Sequence, residues 1–582
     1  MKRFLYATLF VALMMLLIMP NHSFAANDTL VVYATPIANT LDKVVAQDQA
    51  SGTPHLVYQL VSVDTPYTFD ATVAVDNSVT FIGKSGSNGR PPCIQPDVLS
   101  DASIPGHLFT FTKSGSIVKI KNLYLIGISV NNTINSGDGF GITVTGDSIK
   151  CYIDNVVFEQ WSQFGIDYSG NWDSFWITNC KFRNFVNPGS DYTGEALRFR
   201  NDLGHFPTDT ISMKYNTFLG LNGYVAAVGV TSYMRYFDFE HNTVVATFKN
   251  PFFNMNATNW VCQHNIFYAA FAGGMGNGEY PWWDRIWAPG VGSVIDLDTL
   301  SKEIAGGFGI DTTQANWVTT AEAARIIEIN DNVYFKPQSI TDAITTWNAD
   351  TASTHYTWIY ETDWMNDYTA TMFGNHSNFH QNGNQNVDPG FGAGITTMLG
   401  ASGTTVPSDD GIGFIPWLQQ FRAAGVATDF WGYKMAIPDY SSGNWKPTWP
   451  LPEETSDDLK YSASLTASDG KVYGDPYWFT HTPTAVKQLP ASVPEKFELS
   501  NNYPNPFNPS TEISFTVDRN APASLKVYNT LGQLVMTVFE GNALAHQSYD
   551  FNVNMDKFNS GVYFYRLEQG ARAITQKMIL LK

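Results

Sequence analysis

Cysteine is nearly missing from this chain: Cys93, Cys151, Cys180 and Cys262 are four residues in 582. So few cannot staple a chain of this length into a disulfide scaffold, and the lack of any CxxC spacing points away from a zinc site. Charge is scarce too, at 15% of residues, and it runs acidic, with 34 Lys and Arg against 53 Asp and Glu and a formal net charge of −19. An acidic surface repels phosphate backbones, which argues against nucleic acid as a partner. Beyond residue 19 no apolar run is long enough for a membrane span, so no transmembrane span is expected in the mature chain.

What is present begins with an export signal. Residues 1–25 carry Lys2 and Arg3, an apolar run from Phe4 to Met19, and Ser23-Phe24-Ala25 as a cleavage site, the layout of a signal peptide. Hydrophobic residues make up 44% of the chain, enough for a sizeable core, and aromatics 14%, including 16 Trp and 28 Tyr. Those aromatics read either as core filler or as flat surfaces for stacking on a ligand.

Short segments recur that end in Asn and are followed two or three residues on by a large apolar anchor. They are Val118–Asn122 with Leu125, Cys151–Asn155 with Phe158, Phe175–Asn179 with Phe182, Ile211–Asn216 with Phe218, Phe237–Asn242 with Val244, and Trp260–Asn265 with Phe267. A further copy falls at Ile327-Glu328-Ile329 with Asn332. The anchors lie 23 to 36 residues apart, the length of a solenoid coil built from short strands and turns. Each copy alternates with period two, as a strand does. Aligned on the anchor, Ile120, Ile153, Ile177, Met213, Phe239 and Cys262 form one inward row, and Val118, Cys151, Phe175, Ile211, Phe237 and Trp260 a second. The Asn falls at a turn, where its side chain bonds local backbone, and one per coil predicts a polar ladder. A Greek-key sandwich would not place the same residue type at the same phase in every copy. The expected fold is therefore all-β: a right-handed parallel β-helix over residues 26–481, with insertions near 183–210 and 268–325.

The outward rows of the same alignment hold the candidate chemistry. Tyr152 and Trp176 face out on neighbouring coils and offer a surface for sugar rings. Lys214 stands beside Glu240, with Asp238 two residues before it, either as a solvated salt ladder or as a working cluster. In the first insertion, Arg198 and Arg200 point out together and form a carboxylate clamp, with His205 close behind. In the second, Trp282 and Trp283 read equally as a sugar platform or a capping flap. Residues 320–329 and 415–424 are expected to form short helices.

The end of the chain differs. Residues 482–497 are Pro-rich and read as a linker, and from 498 to 582 short alternating strands separated by turns such as Asn529-Thr530-Leu531-Gly532 predict a small Ig-like β-sandwich. Here Tyr503-Pro504-Asn505-Pro506-Phe507-Asn508-Pro509, Val527-Tyr528-Asn529-Thr530-Leu531-Gly532 and Ser560-Gly561-Val562-Tyr563 resemble the type A C-terminal sorting domain of the type IX secretion system. The resemblance implies contact with that secretion machinery and delivery outside the cell or to the outer-membrane surface.

The body resembles pectate-lyase-like β-helix proteins. Asn386–Phe391 and Gly474–Trp478 resemble phrases of exported β-helix proteins found near polysaccharide-degradation systems. Glu195-Ala196-Leu197-Arg198-Phe199 is similar to part of the chondroitinase B and alginate lyase family, in which calcium neutralises a uronate carboxylate while a Lys removes the C5 proton. That resemblance implies β-elimination on an acidic polysaccharide; the residues expected to serve it here, read from the outward rows and insertions, are Arg198, Arg200 and Lys214 as catalytic residues, Tyr152, Trp176, His205, Trp282 and Trp283 on the substrate, and Asp238 and Glu240 holding Ca2+. The next coil, Tyr224–Ser232, lacks the family's calcium-binding Glu residues and catalytic Lys, and no NTD or GHG phrase of the pectin hydrolases occurs. The competing expectation is a non-catalytic adhesin, glycan-binding or extracellular matrix protein.

Overall fold

The computed structural model describes residues 28–34; 40–185 apart from 64, 87, 132 and 136; 193–199; 207–272 apart from 229–231 and 254; 275–276; 293–297; 299–351; 358–359; 364–392; 395; 399; 415; 451; 459–461; 465–480; and 497–581 apart from 501, 503, 504, 506, 518–520, 531, 544–547 and 571. The chain divides into two compact units, Met1–Val486 and Lys487–Lys582.

The first unit is a right-handed parallel β-helix. Three parallel sheets of 11, 10 and 7 strands build it, the third confined to the stretch from Val73 to Phe253, where the chain visits all three in turn. One coil consists of Lys150–Asp154 in the first sheet, Val157–Glu159 in the second and Phe164–Tyr168 in the third; the next begins at Ser174–Thr178. Strict alternation in the five-residue strands drives this arrangement, because period two sends every second side chain inward. Both inward rows of the sequence alignment appear in register. Ile120, Ile153, Ile177, Met213, Phe239 and Cys262 are successive partners, as are Val118, Cys151, Phe175, Ile211, Phe237 and Trp260. The column then continues into Ile327 and Ile329.

The anchors line the inside of the second sheet, where the Phe158 and Phe182 rings stack at 4.6 Å and 3° and Phe182 and Phe218 at 5.0 Å and 11°. Burying each such side chain contributes about 1.5–3 kcal/mol, so the column is a large share of what holds the coils. All four cysteines are free thiols and buried; Cys151 and Cys262 act as small apolar members of the inner rows. At the amino-terminal end helix Leu41–Gln49 seats Leu41 and Val45 in the same core. Residues 320–329, expected as one helix, divide instead: helix Trp317–Ala323 ends and strand Ile326–Asn330 joins the first sheet. The pull of Ile327 and Ile329 into the core wins over local helical propensity. Of the second expected helix, 415–424, all but Ile415 lie outside the described residues.

The turn between first and second sheets carries the Asn residues at two adjacent positions rather than one. From the fourth strand of the first sheet, Ile117–Lys121, a left-handed backbone recurs there once per coil, at Asn122, Asn155, Asn179, Tyr215, His241, His264 and Asp331, with φ between 51° and 60°, and at Gly383. In the first three of these coils Asn itself takes this strained position, which its short polar side chain tolerates, and the next residue inward is Leu123, Val156 or Cys180, each fully buried. From Tyr215 on, Asn holds the inward position instead. Asn216, Asn242, Asn265 and Asn332 each donate Nδ2–H to Oδ1 of the next Asn, ending at Asn384, over 2.9–3.2 Å. Each also donates to a strand carbonyl of the coil before, such as Ile177, Met213 and Phe239. Few buried polar groups in this column lack a partner, which is what makes it affordable in a core.

The second unit is a sandwich of two antiparallel sheets. Glu498–Leu499, Ser510–Thr516 and Ser548–Asn554 form one; Leu534–Ala543, Ala521–Tyr528, Gly561–Gln569 and Arg572–Leu580 form the other. Ile513, Phe515, Leu525, Val527, Tyr565, Leu567, Met578 and Leu580 fill the space between them. The Asn-rich phrase is structural: Asn502 N–H bonds the Tyr565 hydroxyl at 2.8 Å and Asn505 Oδ1 accepts from Ile579 N–H at 2.9 Å. No helix among the described residues is long and apolar enough to cross a membrane.

Candidate functional site

A ligand needs an uncovered face, and the second sheet does not offer one along much of its length. Its outward Leu219, Val245, Ile266, Tyr268 and Val333 are packed under Tyr461, Tyr473, Trp478 and neighbours, and Tyr124 and Val157 under Leu451. The outer face of the first sheet is different. Its middle row reads Lys119, Tyr152, Trp176, Ser212, Asp238 and Val261 in register. The Tyr152 and Trp176 rings lie one coil apart, stacked at 4.7 Å and 9°, and both are half-buried. Trp172, at the turn into the same strand as Trp176, is 46% exposed, with the Arg235 guanidinium 5.8 Å from its ring centre. Arg235 is in turn held by Asp209 at 3.1 Å.

Farther along the same face Lys214, Asp238 and Glu240 come together. Lys214 Nζ is 2.7 Å from Asp238 Oδ2 and 3.0 Å from Glu240 Oε2. Ser212 Oγ bonds Asp238 at 3.2 Å, and Gln263 Nε2 bonds Glu240 Oε1 at 2.7 Å. Asp238 is 3% exposed and its Oδ1 has no hydrogen-bond partner. Burial pushes its carboxyl up to about 7, Glu240's charge adds to this and Lys214 opposes it. Burial also works against Glu240, but Lys214 outweighs it and keeps that carboxyl below its usual range. Burial alone would lower Lys214; the two carboxylates more than reverse this and hold its ammonium well above the ordinary lysine range. Chemically, Lys214 is a fixed cation and a poor base, Glu240 is a fixed anion, and Asp238 exchanges its proton near neutrality. A calcium ion takes roughly six to eight oxygen ligands. Two carboxylates already bridged by an ammonium do not supply that set, so the residues present do not fit the ion the lyase resemblance implies.

Arg198 is elsewhere. It lies in Glu195–Phe199 of the third sheet, in register with Asp167 and Ala227, so it does not share a face with Lys214, Asp238 and Glu240. Its guanidinium is 3.5 Å from Glu195, which is 1% exposed. Burial pushes the Glu195 carboxyl up to about 7, against the opposing charges of Arg198 and Lys249. Arg200, His205, Trp282 and Trp283 lie outside the described residues.

One cluster escaped the sequence reading. His241 and His264 occupy the left-handed turn position on successive coils, ring centres 4.8 Å apart. The segment 465–480 lies over them: His241 contacts Asp469 Oδ2 at 3.0 Å through Nε2 and the Val472 carbonyl at 2.9 Å through Nδ1, and His264 Nε2 contacts Ser468 Oγ at 3.2 Å. The signal was available as a repeated dipeptide, His241-Asn242 and His264-Asn265, one coil apart. Its partner is more than two hundred residues downstream, where no local pattern reaches it.

Residues 501–581 match the family described as "Secretion system C-terminal sorting domain". This stretch is a type IX sorting domain, and it marks the protein for export to the cell surface or the surroundings. No curated protein matches the chain.

Proposed function

We propose that this exported β-helix binds a polysaccharide along the outer face of its first sheet, with Tyr152, Trp176 and Trp172 as the platform for sugar rings. The observation that carries this reading is the parallel Tyr152–Trp176 pair, half-open on a face whose neighbours are polar. Aromatic rings stacked across coils give a flat apolar strip that is costly to leave wet and suits the faces of pyranose rings. Lys119 and Arg235 beside it supply donors for the acidic groups of a polyuronide.

The test is binding of the purified chain to a panel of neutral glycans and polyuronides by calorimetry, with Trp176→Ala alongside. The variant is expected to lose about tenfold in affinity, the scale of one aromatic contact of roughly 1.4 kcal/mol. Unchanged affinity in Trp176→Ala, or no binding over the panel, would remove the platform. A second reading is cleavage, favoured by Asp238, a buried carboxyl with an unpaired oxygen that titrates near neutrality. In that case polyuronide incubated with the chain gains absorbance from unsaturated ends, and Asp238→Asn abolishes the gain without weakening binding.

A further inference from the structure

We propose that His241, His264 and Asp469 bind one divalent transition-metal ion, zinc(II) by the chemistry of the donors, which clips the segment 465–480 onto the turns of the solenoid. Each of the three side chains offers one ligand atom, and all of these lie within 4.8 Å of one another.

Hydrogen-bond logic supplies the argument. A carbonyl can only accept, so His241 Nδ1, 2.9 Å from the Val472 oxygen, carries a hydrogen. In a neutral ring Nε2 is then a bare lone pair. That lone pair faces Asp469 Oδ2, another acceptor, at 3.0 Å. Two acceptors at this distance need a cation between them, either a proton or a metal. His264 makes the proton the poorer choice. It is 7% exposed, its Nδ1 has no hydrogen-bond partner, and its ring centre lies 4.8 Å from that of His241, tilted by 36°. A proton on His241 would answer Asp469 through that ring alone and leave His264 outside the pairing. A single dipositive ion lets both rings stay neutral and answers the charge of Asp469.

The surroundings suit this. Asp331 Oδ2, 3.5 Å from His264 Nε2, brings a second negative charge and is itself fixed by the Ser468 N–H and the Tyr473 hydroxyl. Imidazole and carboxylate donors select zinc over calcium or magnesium, which want oxygen alone. Lys471 Nζ, 3.3 Å from the same Asp469 oxygen, is an opposing charge. It is exposed and already reaches the Tyr215 hydroxyl at 3.1 Å, to which it can turn fully. The clip has something to hold, because the same segment carries Asp475, which bonds Thr217 and Thr243, and Trp478, which bonds Thr217.

The experiment uses tag-free full-length protein stripped with a chelator. Cobalt(II) is added first, and zinc(II) afterwards to displace it. One cobalt per chain is expected, with the strong visible bands of a four-coordinate site, bleached by one zinc. His264→Gln and Asp469→Asn should each weaken zinc by at least about 100-fold, the upper end of what losing even an outer partner of a metal ligand costs; Ser468→Ala should bind as the wild type does. Zinc should slow tryptic cleavage at Lys471 in the wild type and not in His264→Gln. Wild-type protein that takes up no cobalt or zinc overturns the proposal without recourse to variants. So does variant affinity equal to wild type, or a segment protected by acid instead of by zinc, the mark of an imidazolium–carboxylate pair.

Discussion

The two halves of the solenoid solve one turn in two ways. In the coils of Asn122, Asn155 and Asn179, Asn sits on the strained outer position and the interior is apolar, through Leu123, Val156 and Cys180. In the coils from Tyr215 on, the same residue type has moved one place inward and built a hydrogen-bonded column, which frees the outer position for Tyr215, His241, His264 and Asp331. The lesson is that a buried amide column is more than a way to tolerate polar residues. It hands the outer position to side chains with chemistry, and there segment 465–480 docks.

That contrast can be broken most severely at the middle of the column. Asn242→Leu would strand the backbone and side-chain donors of Asn216 and the Met213 carbonyl. At about 1–3 kcal/mol for each of these three orphaned groups the expected loss is roughly 3–9 kcal/mol in urea unfolding; a loss under about 1 kcal/mol would mean the column is decorative. The mirror change, Val156→Asn, places an amide without a neighbouring Asn in the apolar half and should cost about 1–3 kcal/mol. A neutral result there would show that either half accepts either solution.

A smaller, pH-dependent effect belongs to Asp173, in the apolar half just before Ser174–Thr178. Burial pushes its carboxyl up to about 8; the Ile149 N–H works against this and Asp147 adds to it. Its folded value lies above the unfolded value of 3.8, so the protonated form favours folding and stability drains away as pH rises from about 4 to about 8. Asp173→Asn should therefore melt higher than wild type at pH 8.5, with the gap closing as the pH is lowered to 4. A gap that is constant, or widens in acid, contradicts the assignment. The mildest change is Cys180→Asn, at the junction of the halves. Cys180 N–H already bonds Asn216 Oδ1 at 2.9 Å and its sulfur lies 3.6 Å from the Ile153 carbonyl, so an amide there extends the column by one member. Stability should change by less than about 1 kcal/mol; a large loss would show that the junction is fixed by packing.

Much of the fold was legible because period two is unforgiving: a slip of one residue would turn Ile120 and Ile153 to solvent. The Asn phase was less so, since Asn122 and Asn216 serve adjacent positions and a sequence aligned on either blurs the other. The third sheet was hidden by its entrances. After Glu159 its strand begins at Phe164, but after Phe185 only at Glu195. This is why Arg198 could be read as a neighbour of Lys214 when it faces a different way. Lys214 beside Glu240 followed directly from the phase, and the same phase carries Asp238 into the cluster. The helix-like reading of 320–329 failed where burial of Ile327 and Ile329 outweighed helical preference.

The amide column also has a direction. Every member from Asn216 to Asn332 gives one hydrogen forward to the next Asn and the other back to a strand carbonyl of the coil before, and the last, Asn384, is where the series stops. Segment 465–480 ties several of these coils together through Thr217, Thr243, His241 and Asp331, so a pull at that end meets the column and the segment together.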